Sequence, residues 1–447
     1  MMVLILFFII IVVFWDYLGE TDKIYIEKCF LFWMKGVFVI LDGVADEPCE
    51  ALGGKTPLEA ARTPNLDDFA RKSKLDYCYP VNELIVPESS SAIVSLLGQD
   101  PSNAPRGPLE AMGLGIKINK GDLVLRINFA TIDSLDKGNI LDSRAGRTLT
   151  TKEAEILAKA VNENVKIPYK FELYPGIGHR GVLIFRGGFS DNITNADPFY
   201  GEGSAKSSVN PRVVYSKPMD DEDESKHSAD MLNMFLRHSH EVLEKHPLNI
   251  ERRKKGLFAA NFILARDAGN EPIKLKKMKG KWMALGYMPL EKGIATAAGM
   301  QLYSFRYPKL KGIDVYDNLF SGLKKATKYA CRMIKRNKSK ADYFYVHFKE
   351  TDTPGHDNKP LEKMKMVELI DERFFGFLKK YMDDVKIVVT ADHTTACRKK
   401  AHSKEPVPVL TYNFTKGREG QRFIEGDGLK GKKIIGRKLL DETLFKK

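Results

Sequence analysis

The 447-residue chain carries a formal net charge of +13, with 43% hydrophobic, 29% charged and 10% aromatic residues, an ordinary balance for a soluble globular protein. Its five cysteines (Cys29, Cys49, Cys78, Cys331, Cys397) are odd in number, scattered and form no CxxC, which argues against a disulfide framework or a thiolate zinc site and fits a reducing compartment. Lys and Arg are dispersed among Asp and Glu without an RNA-binding or zinc-finger signature, so the positive balance reads as a solvated surface or a field drawing in a small anion, not a nucleic-acid face.

At its start, "MVLILFFIIIVVFW" is a run of 14 apolar residues. It is shorter than the roughly 20 needed to span a bilayer, and it lacks a basic leader or a clean cleavage site. A poor membrane anchor, a core strand and upstream sequence joined by a wrongly chosen start are the three readings. The third is preferred, because Met34 opens "MKGVFVILDG", which reads like a natural beginning.

"VFVIL" (Val37 to Leu41) is a continuous apolar run of the kind buried on both faces of a parallel sheet. "VPESSSAIVSLLGQDP" (Val86 to Pro101) places three serines before an expected helix over Ala92 to Leu97. From about Arg106 to about Lys255 the pattern changes to short strands such as "GVLIF" (Gly181 to Phe185), turn clusters, the acidic run "DDEDES" and an amphipathic helix near Ala229 to Lys245. "LFAANFILA" (Leu257 to Ala265) resumes the buried-strand pattern. "YFYVHF" (Tyr343 to Phe348) is a further strand. A helix follows over Leu361 to Met382, with apolar residues at Leu361, Met364, Val367, Ile370, Phe374 and Phe377, and then the strand "VKIVV" (Val385 to Val389). Strand, helix, strand with short joints predicts parallel neighbours. The expected architecture is an α/β core domain from residues 34–105 and 256–447. A smaller domain, 106–255, is inserted in it, and residues 1–33 form a hydrophobic extension.

Ligands of doubly wound sheets bind outside the carboxyl ends of the strands. Here Asp42 ends the first strand, Asp352 and His356 follow the second in "KETDTPGHD", and Asp392, His393 and His402 follow the third. Carboxylate and imidazole together suit catalytic divalent cations, and two ions roughly 4 Å apart can clamp a transferring phosphoryl group. Any one of these residues alone is more simply a turn former, helix cap or loop histidine. Their recurrence at equivalent strand ends favours metal. His347 lies within a strand and reads as packed, or as a residue standing behind the ligands. A serine opening a helix near amide donors is a candidate nucleophile, although Ser-Ser-Ser on its own is simply a cap.

These motifs resemble the archaeal-type 2,3-bisphosphoglycerate-independent phosphoglycerate mutases of the alkaline phosphatase superfamily. The resemblance runs from about Met34 to about Asn413, through "ILDGVADEP", "KTPLEAARTPNLD", "LLGQDP", "RGPLEAMGLGI", "NFATID", "DSRAGR", "GHRGVLIFRG", "NADPFY", "NFILARDAG", "TDTPGHD" and "TADHTTAC…HSKEPVPVL". It implies an alkaline-phosphatase-like, doubly wound, mostly parallel sheet with an inserted α+β domain. It also implies one metal held by Asp352, His356 and His402, and a second held by Asp42, Asp392, His393 and the nucleophile Ser89. Mn2+ is the expected ion, with Mg2+, Co2+ or Zn2+ as alternatives. The reaction implied is interconversion of 3-phosphoglycerate and 2-phosphoglycerate through phosphoserine, with a phosphoglycerate substrate, no nucleic-acid or stable membrane partner, and a cytoplasmic setting. Arg126, Arg144, Arg147, Arg180 and Arg266 are candidates for substrate phosphate and carboxylate, with Lys292 a further one. Asp142, set among arginines, is the candidate general base. The chain departs from the family at Glu88-Ser89-Ser90, where Gly-Ser-Asp is usual, which leaves Ser90 and Ser91 as other registers. It departs again at "RYPKLKGIDVYDNLFSG", which lacks a Gly- and Thr-rich turn. A phosphatase or phosphotransferase of the same superfamily, and a catalytically silent scaffold, are the alternatives. N-terminal sequencing of the native protein should find Met34 first; recovery of Met1 to Trp33 would reject that start.

Overall fold

The computed structural model describes residues 34–200, 211–308, 315–382, 385–412 and 417–446, so the apolar extension lies outside the described residues. The chain opens with β1 (Gly36–Leu41), β2 (Ser73–Tyr79), α1 (Ser89–Leu96) and α2 (Arg106–Gly113). A middle section holds β3 (Leu123–Ile132), β4 (Ile140–Asp142), α3 (Thr151–Asn164), β5 (Phe171–Pro175), β6 (Arg180–Phe185), α4 (Asp223–Glu244) and β7 (Phe262–Gly269). After it come β8 (Trp282–Gly286), α5 (Pro289–Ala297), β9 (Gln301–Ser304), α6 (Val315–Asn337), β10 (Tyr343–Phe348), α7 (Asp352–His356) and α8 (Pro360–Ile370). Last are β11 (Lys386–Thr390), β12 (Thr394–Ala396), β13 (Ala401–Ser403), β14 (Val407–Tyr412) and β15 (Lys433–Ile435).

The larger sheet has eight strands in the order β15-β2-β14-β11-β1-β10-β8-β9. β1 lies between β10 and β11 and is parallel to both, whereas β14 runs antiparallel to β11 and β2. The α/β, mostly parallel expectation is therefore met. One detail differs: β10 and β11 are parallel but not neighbours. β1, buried on both faces along its whole length, takes the place between them. The expected helix over Leu361 to Met382 is present but passes through a π turn at Asp371–Phe375 before continuing as Gly376–Tyr381. At that turn the Asp371 carboxylate accepts the Leu66 N–H at 2.6 Å and the Asn65 N–H at 3.2 Å, so a contact across the fold fixes the irregularity.

A second, antiparallel sheet joins β4, β3, β6 and β5, with β7 also paired to β3. It has its own core, in which Leu125, Phe129, Leu183 and Phe185 meet Leu157 of α3 and Phe235 of α4. The run expected to resume the larger sheet forms β7, which pairs with β3 instead, and Phe262, Ile263 and Leu264 lie in this second core. Among the described residues, no helix is long and apolar enough to cross a membrane.

The two sheets meet through α2 and α5. A Cβ on Gly113 would collide with the Pro289 carbonyl, and one on Gly293 with the Leu109 carbonyl, so the helices cross with backbone against backbone. Overpacking a site with no flexible neighbour costs about 1–3 kcal/mol. Gly113→Ala and Gly293→Ala should each lower the unfolding free energy by that amount, seen as a lower urea midpoint at unchanged m value.

Candidate active site

The carboxyl ends of β11, β1 and β10, adjacent in the sheet, deliver the charged residues. At the end of β1, Gly43 adopts φ +54°, and a Cβ there would strike Thr395 and Asp352, so glycine is required for this turn. The turn lets Gly43 donate its N–H to Asp392 Oδ1 at 3.0 Å while Thr351 Oγ1 donates to the Asp42 carbonyl at 2.6 Å. Asp42, Asp392 and His393 are fully buried. His393 Nε2 stands 3.4 Å from Asp42 Oδ1, 3.4 Å from Asp392 Oδ2 and 3.1 Å from Ser89 Oγ.

Hydrogen bonding fixes the imidazoles. Thr395 Oγ1 donates to Asp352 Oδ1 at 2.8 Å, so it accepts the Nδ1–H of His393 at 2.9 Å. His356 Nδ1 faces the Lys400 carbonyl at 3.0 Å and His402 Nδ1 the Pro87 carbonyl at 2.9 Å, so each donates there. The Nε2 lone pairs of His356 and His402 consequently face each other at 3.2 Å, with Asp352 Oδ2 3.4 Å from His356 Nε2. Converging lone pairs repel unless a cation lies among them. Burial pushes His393 down to about 3, leaving it neutral. The two groups, Asp42/Asp392/His393 and Asp352/His356/His402, each bring their ligand atoms within 4.8 Å of one another. They are joined by the β12–β13 hairpin, across which the His393 and His402 rings stack at 3.7 Å.

Beside them lies a cavity of about 220 Å³. Ser89, Arg126, Arg144, Arg147, Arg180, Asp352, His356 and His402 line it. Ser89 opens α1 and is buried, while Ser91 Oγ turns back onto the Glu88 carbonyl at 3.0 Å. Desolvation and the neighbouring Arg126 and Arg144 push the half-buried Arg180 guanidinium down to about 10, which marks it as short of negative charge.

Three sequence candidates are placed otherwise. Asp142 is not brought to the cavity: its Oδ1 accepts the N–H groups of Arg144 and Gly146, both at 2.7 Å, so it shapes the turn that presents Arg144. Arg266 pairs with Asp197 and stacks on the Tyr200 ring, supporting a cavity wall from behind. Lys292 lies next to Glu291, which lines the cavity where Lys292 does not. Conversely, His179, Lys349, Glu291 and Glu350 line it without having been singled out. His179 precedes Arg180 in "GHRG" and Lys349 opens the loop to Asp352, so both adjoin motifs legible in the sequence. His347 is buried behind the ligands, its Nε2 3.2 Å from Asp42 Oδ2.

Comparison with known proteins decides the family. A family model described as 2,3-bisphosphoglycerate-independent phosphoglycerate mutase matches residues 70–249. The enzyme of that name from Thermococcus kodakarensis is 38% identical over 387 residues, 84% of this chain and 87% of its own. The chain belongs to the 2,3-bisphosphoglycerate-independent phosphoglycerate mutase family. A relative in Pyrococcus furiosus with the same name is 39% identical over 387 residues, 84% of this chain and 87% of its own. A solved structure of the cofactor-independent phosphoglycerate mutase from Thermoplasma acidophilum superposes with TM-score 0.53 at 27% identity, over 92% of this chain and 99% of that one. A solved protein from Pyrococcus horikoshii superposes with TM-score 0.67 at 29% identity, over 93% of this chain and 97% of that one.

A third group, Asp46, Cys49 and Cys397, also brings its ligand atoms together, but it is differently satisfied. Asp46 Oδ1 accepts the N–H groups of Cys397 (2.9 Å) and Glu47 (2.8 Å), and its Oδ2 takes the Lys363 ammonium at 2.7 Å. Burial pushes the Cys49 thiol up to about 11 and Cys397 higher still, so both stay protonated. The group therefore reads as a pin, with the fully buried Lys363 also donating to the carbonyls of Ala45 and Thr395. Removing one partner of a buried ion pair costs about 3–5 kcal/mol. Lys363→Met should lower the unfolding free energy by that amount in chemical denaturation.

Proposed function

We propose that this protein interconverts 3-phosphoglycerate and 2-phosphoglycerate without 2,3-bisphosphoglycerate, through a phosphoserine at Ser89. The observation that carries the reading is a serine hydroxyl 3.1 Å from the lone pair of a neutral, oriented histidine, at the mouth of an arginine-lined cavity in a chain of this family.

The donor set fits divalent cations. Asp42 Oδ1 and Asp392 Oδ2 are buried without hydrogen-bond partners, Asp42 Oδ2 meets only the Lys349 ammonium and the His347 ring, and two imidazole Nε2 atoms face each other beside Asp352. Asp352, His356 and His402 would hold one ion; Asp42, Asp392, His393 and Ser89 would hold the other. When bound, the ions supply positive charge that lowers the serine pKa and offsets charge developing on the phosphoryl oxygens. Mixed carboxylate and imidazole ligation accommodates a divalent cation; Mn2+ is the ion the family resemblance implies, with Mg2+, Co2+ and Zn2+ as the other candidates.

In the reading proposed, Ser89 Oγ gives up its proton and forms a bond to phosphorus as the phosphorus–oxygen bond to glycerate breaks. The departing glycerate oxygen takes up a proton. Arg126, Arg144 and Arg180, from the smaller sheet, bind the carboxylate and phosphate of the substrate. Glycerate then turns within the cavity, and its other hydroxyl, losing its proton, bonds to phosphorus as the phosphorus–oxygen bond to Ser89 breaks and Ser89 Oγ regains a proton. Water must be kept from the phosphoserine meanwhile. We infer that the unit containing residues 106–255, which supplies these arginines while Ser89 and the two ligand groups come from the larger sheet, does so by covering the site. A phosphoglycerate substrate and four free thiols among the described residues accord with a cytoplasmic setting.

Metal-loaded protein given 3-phosphoglycerate alone should form 2-phosphoglycerate without releasing phosphate, and a chelator should abolish turnover. Release of phosphate without isomerisation would assign a phosphatase instead. Ser89→Ala should lower kcat by at least about 10³-fold while metal binding survives, whereas Asp392→Ala should weaken both. Full activity in Ser89→Ala would remove the nucleophile assignment.

A further inference from the structure

Beside the ligand group at β1, two carboxylates and one ammonium are crowded together under low exposure. Lys349, which follows β10, places its Nζ on Asp42 Oδ2 and 3.3 Å from Glu291 Oε1. Glu291 comes from the first turn of α5 and is 2% exposed, and neither of its carboxylate oxygens accepts a hydrogen bond. The other acids near the cavity are engaged. Glu350 accepts from Tyr287 at 2.8 Å and Tyr307 at 3.1 Å, and Glu110 is held by Arg106 and Arg126.

A divalent ion on Asp42 beside His393 would bring its charge within a few ångströms of the Lys349 ammonium on the same carboxylate, and like charges that close in a poorly solvated site repel strongly. The displaced ammonium must in turn keep a partner, since an uncompensated buried charge is costly. The lysine stem is flexible, and Lys349 is 17% exposed toward the cavity, so it has room to move. Lys363 differs in both respects: it is wholly buried, with three acceptors fixed around it.

We infer that Lys349 is a displaceable cation that competes with the divalent ion for Asp42, and that Glu291 is the carboxylate that receives its ammonium when the ion binds. Glu291 is then a positioning residue that sets metal affinity through Lys349. The inference rests on the metal-dependent reading above.

Calorimetric titration of chelator-stripped full-length protein with Mn2+ tests it. Lys349→Met should tighten binding at one of the two sites about tenfold or more, and Glu291→Gln should weaken it about tenfold. The decisive measurement is the double variant: if Glu291 acts by receiving Lys349, Glu291→Gln has no further effect in the Lys349→Met background. Lys349→Gln serves the same comparison if circular dichroism shows that Lys349→Met does not fold. An unchanged or weaker affinity on removing Lys349 overturns the inference, as does a Glu291→Gln loss that persists without the lysine. If the wild-type protein takes up no Mn2+ at all, the metal-dependent reading itself falls, and the inference with it.

Discussion

Negative charge buried at the ends of three adjacent parallel strands is the constraint to which the rest of the structure answers. Asp42 and Asp392 are wholly buried, and one carboxylate oxygen of each, Asp42 Oδ1 and Asp392 Oδ2, has no hydrogen-bond partner. Burying such groups uncompensated costs several kcal/mol each. Parallel pairing of β1 with both β10 and β11 forces these acids together, since all three strands end at one edge. The surrounding groups then follow as responses: Gly43 for a turn tight enough to donate to Asp392, Thr395 to orient His393, and Lys349 on Asp42.

Around this edge the chain separates two tasks. The larger sheet holds the serine and both imidazole–carboxylate groups, while the smaller antiparallel sheet presents arginines that crowd one another across the cavity. Arginine side chains packed together with few acids are poorly stable alone and well suited to an anion with two charged ends. The close α2–α5 crossing ties the sheets together, since α2 carries Arg106 and Glu110 and α5 carries Glu291.

The sequence reading located Asp42, Asp352, His356, Asp392, His393 and His402 because strand-end position can be seen in an apolar run followed by an acid. The structure brings those six together in two groups. Asp142 could not be judged the same way, because its role depends on which backbone N–H groups its own turn exposes. Lys349, His179 and Glu291 escape that reading for the opposite reason: their partners come from other elements, so adjoining a legible motif, as Lys349 and His179 do, does not tell what the side chain will face. The same limit explains β7. A buried apolar run announces a strand without saying which sheet will take it, and pairing with β3 settles the matter across more than a hundred residues of chain.

The β12–β13 hairpin has a mechanical meaning beyond supplying ligands. Backbone pairing sets Thr395 opposite His402, and the stacked rings of His393 and His402 leave no slack between the two groups. Their separation is thus a property of the polypeptide and is fixed before any ligand arrives. The hairpin acts as a caliper: changing the length of its tip at Cys397–Lys400 would alter the gauge of the whole site, even though no residue there reaches the cavity.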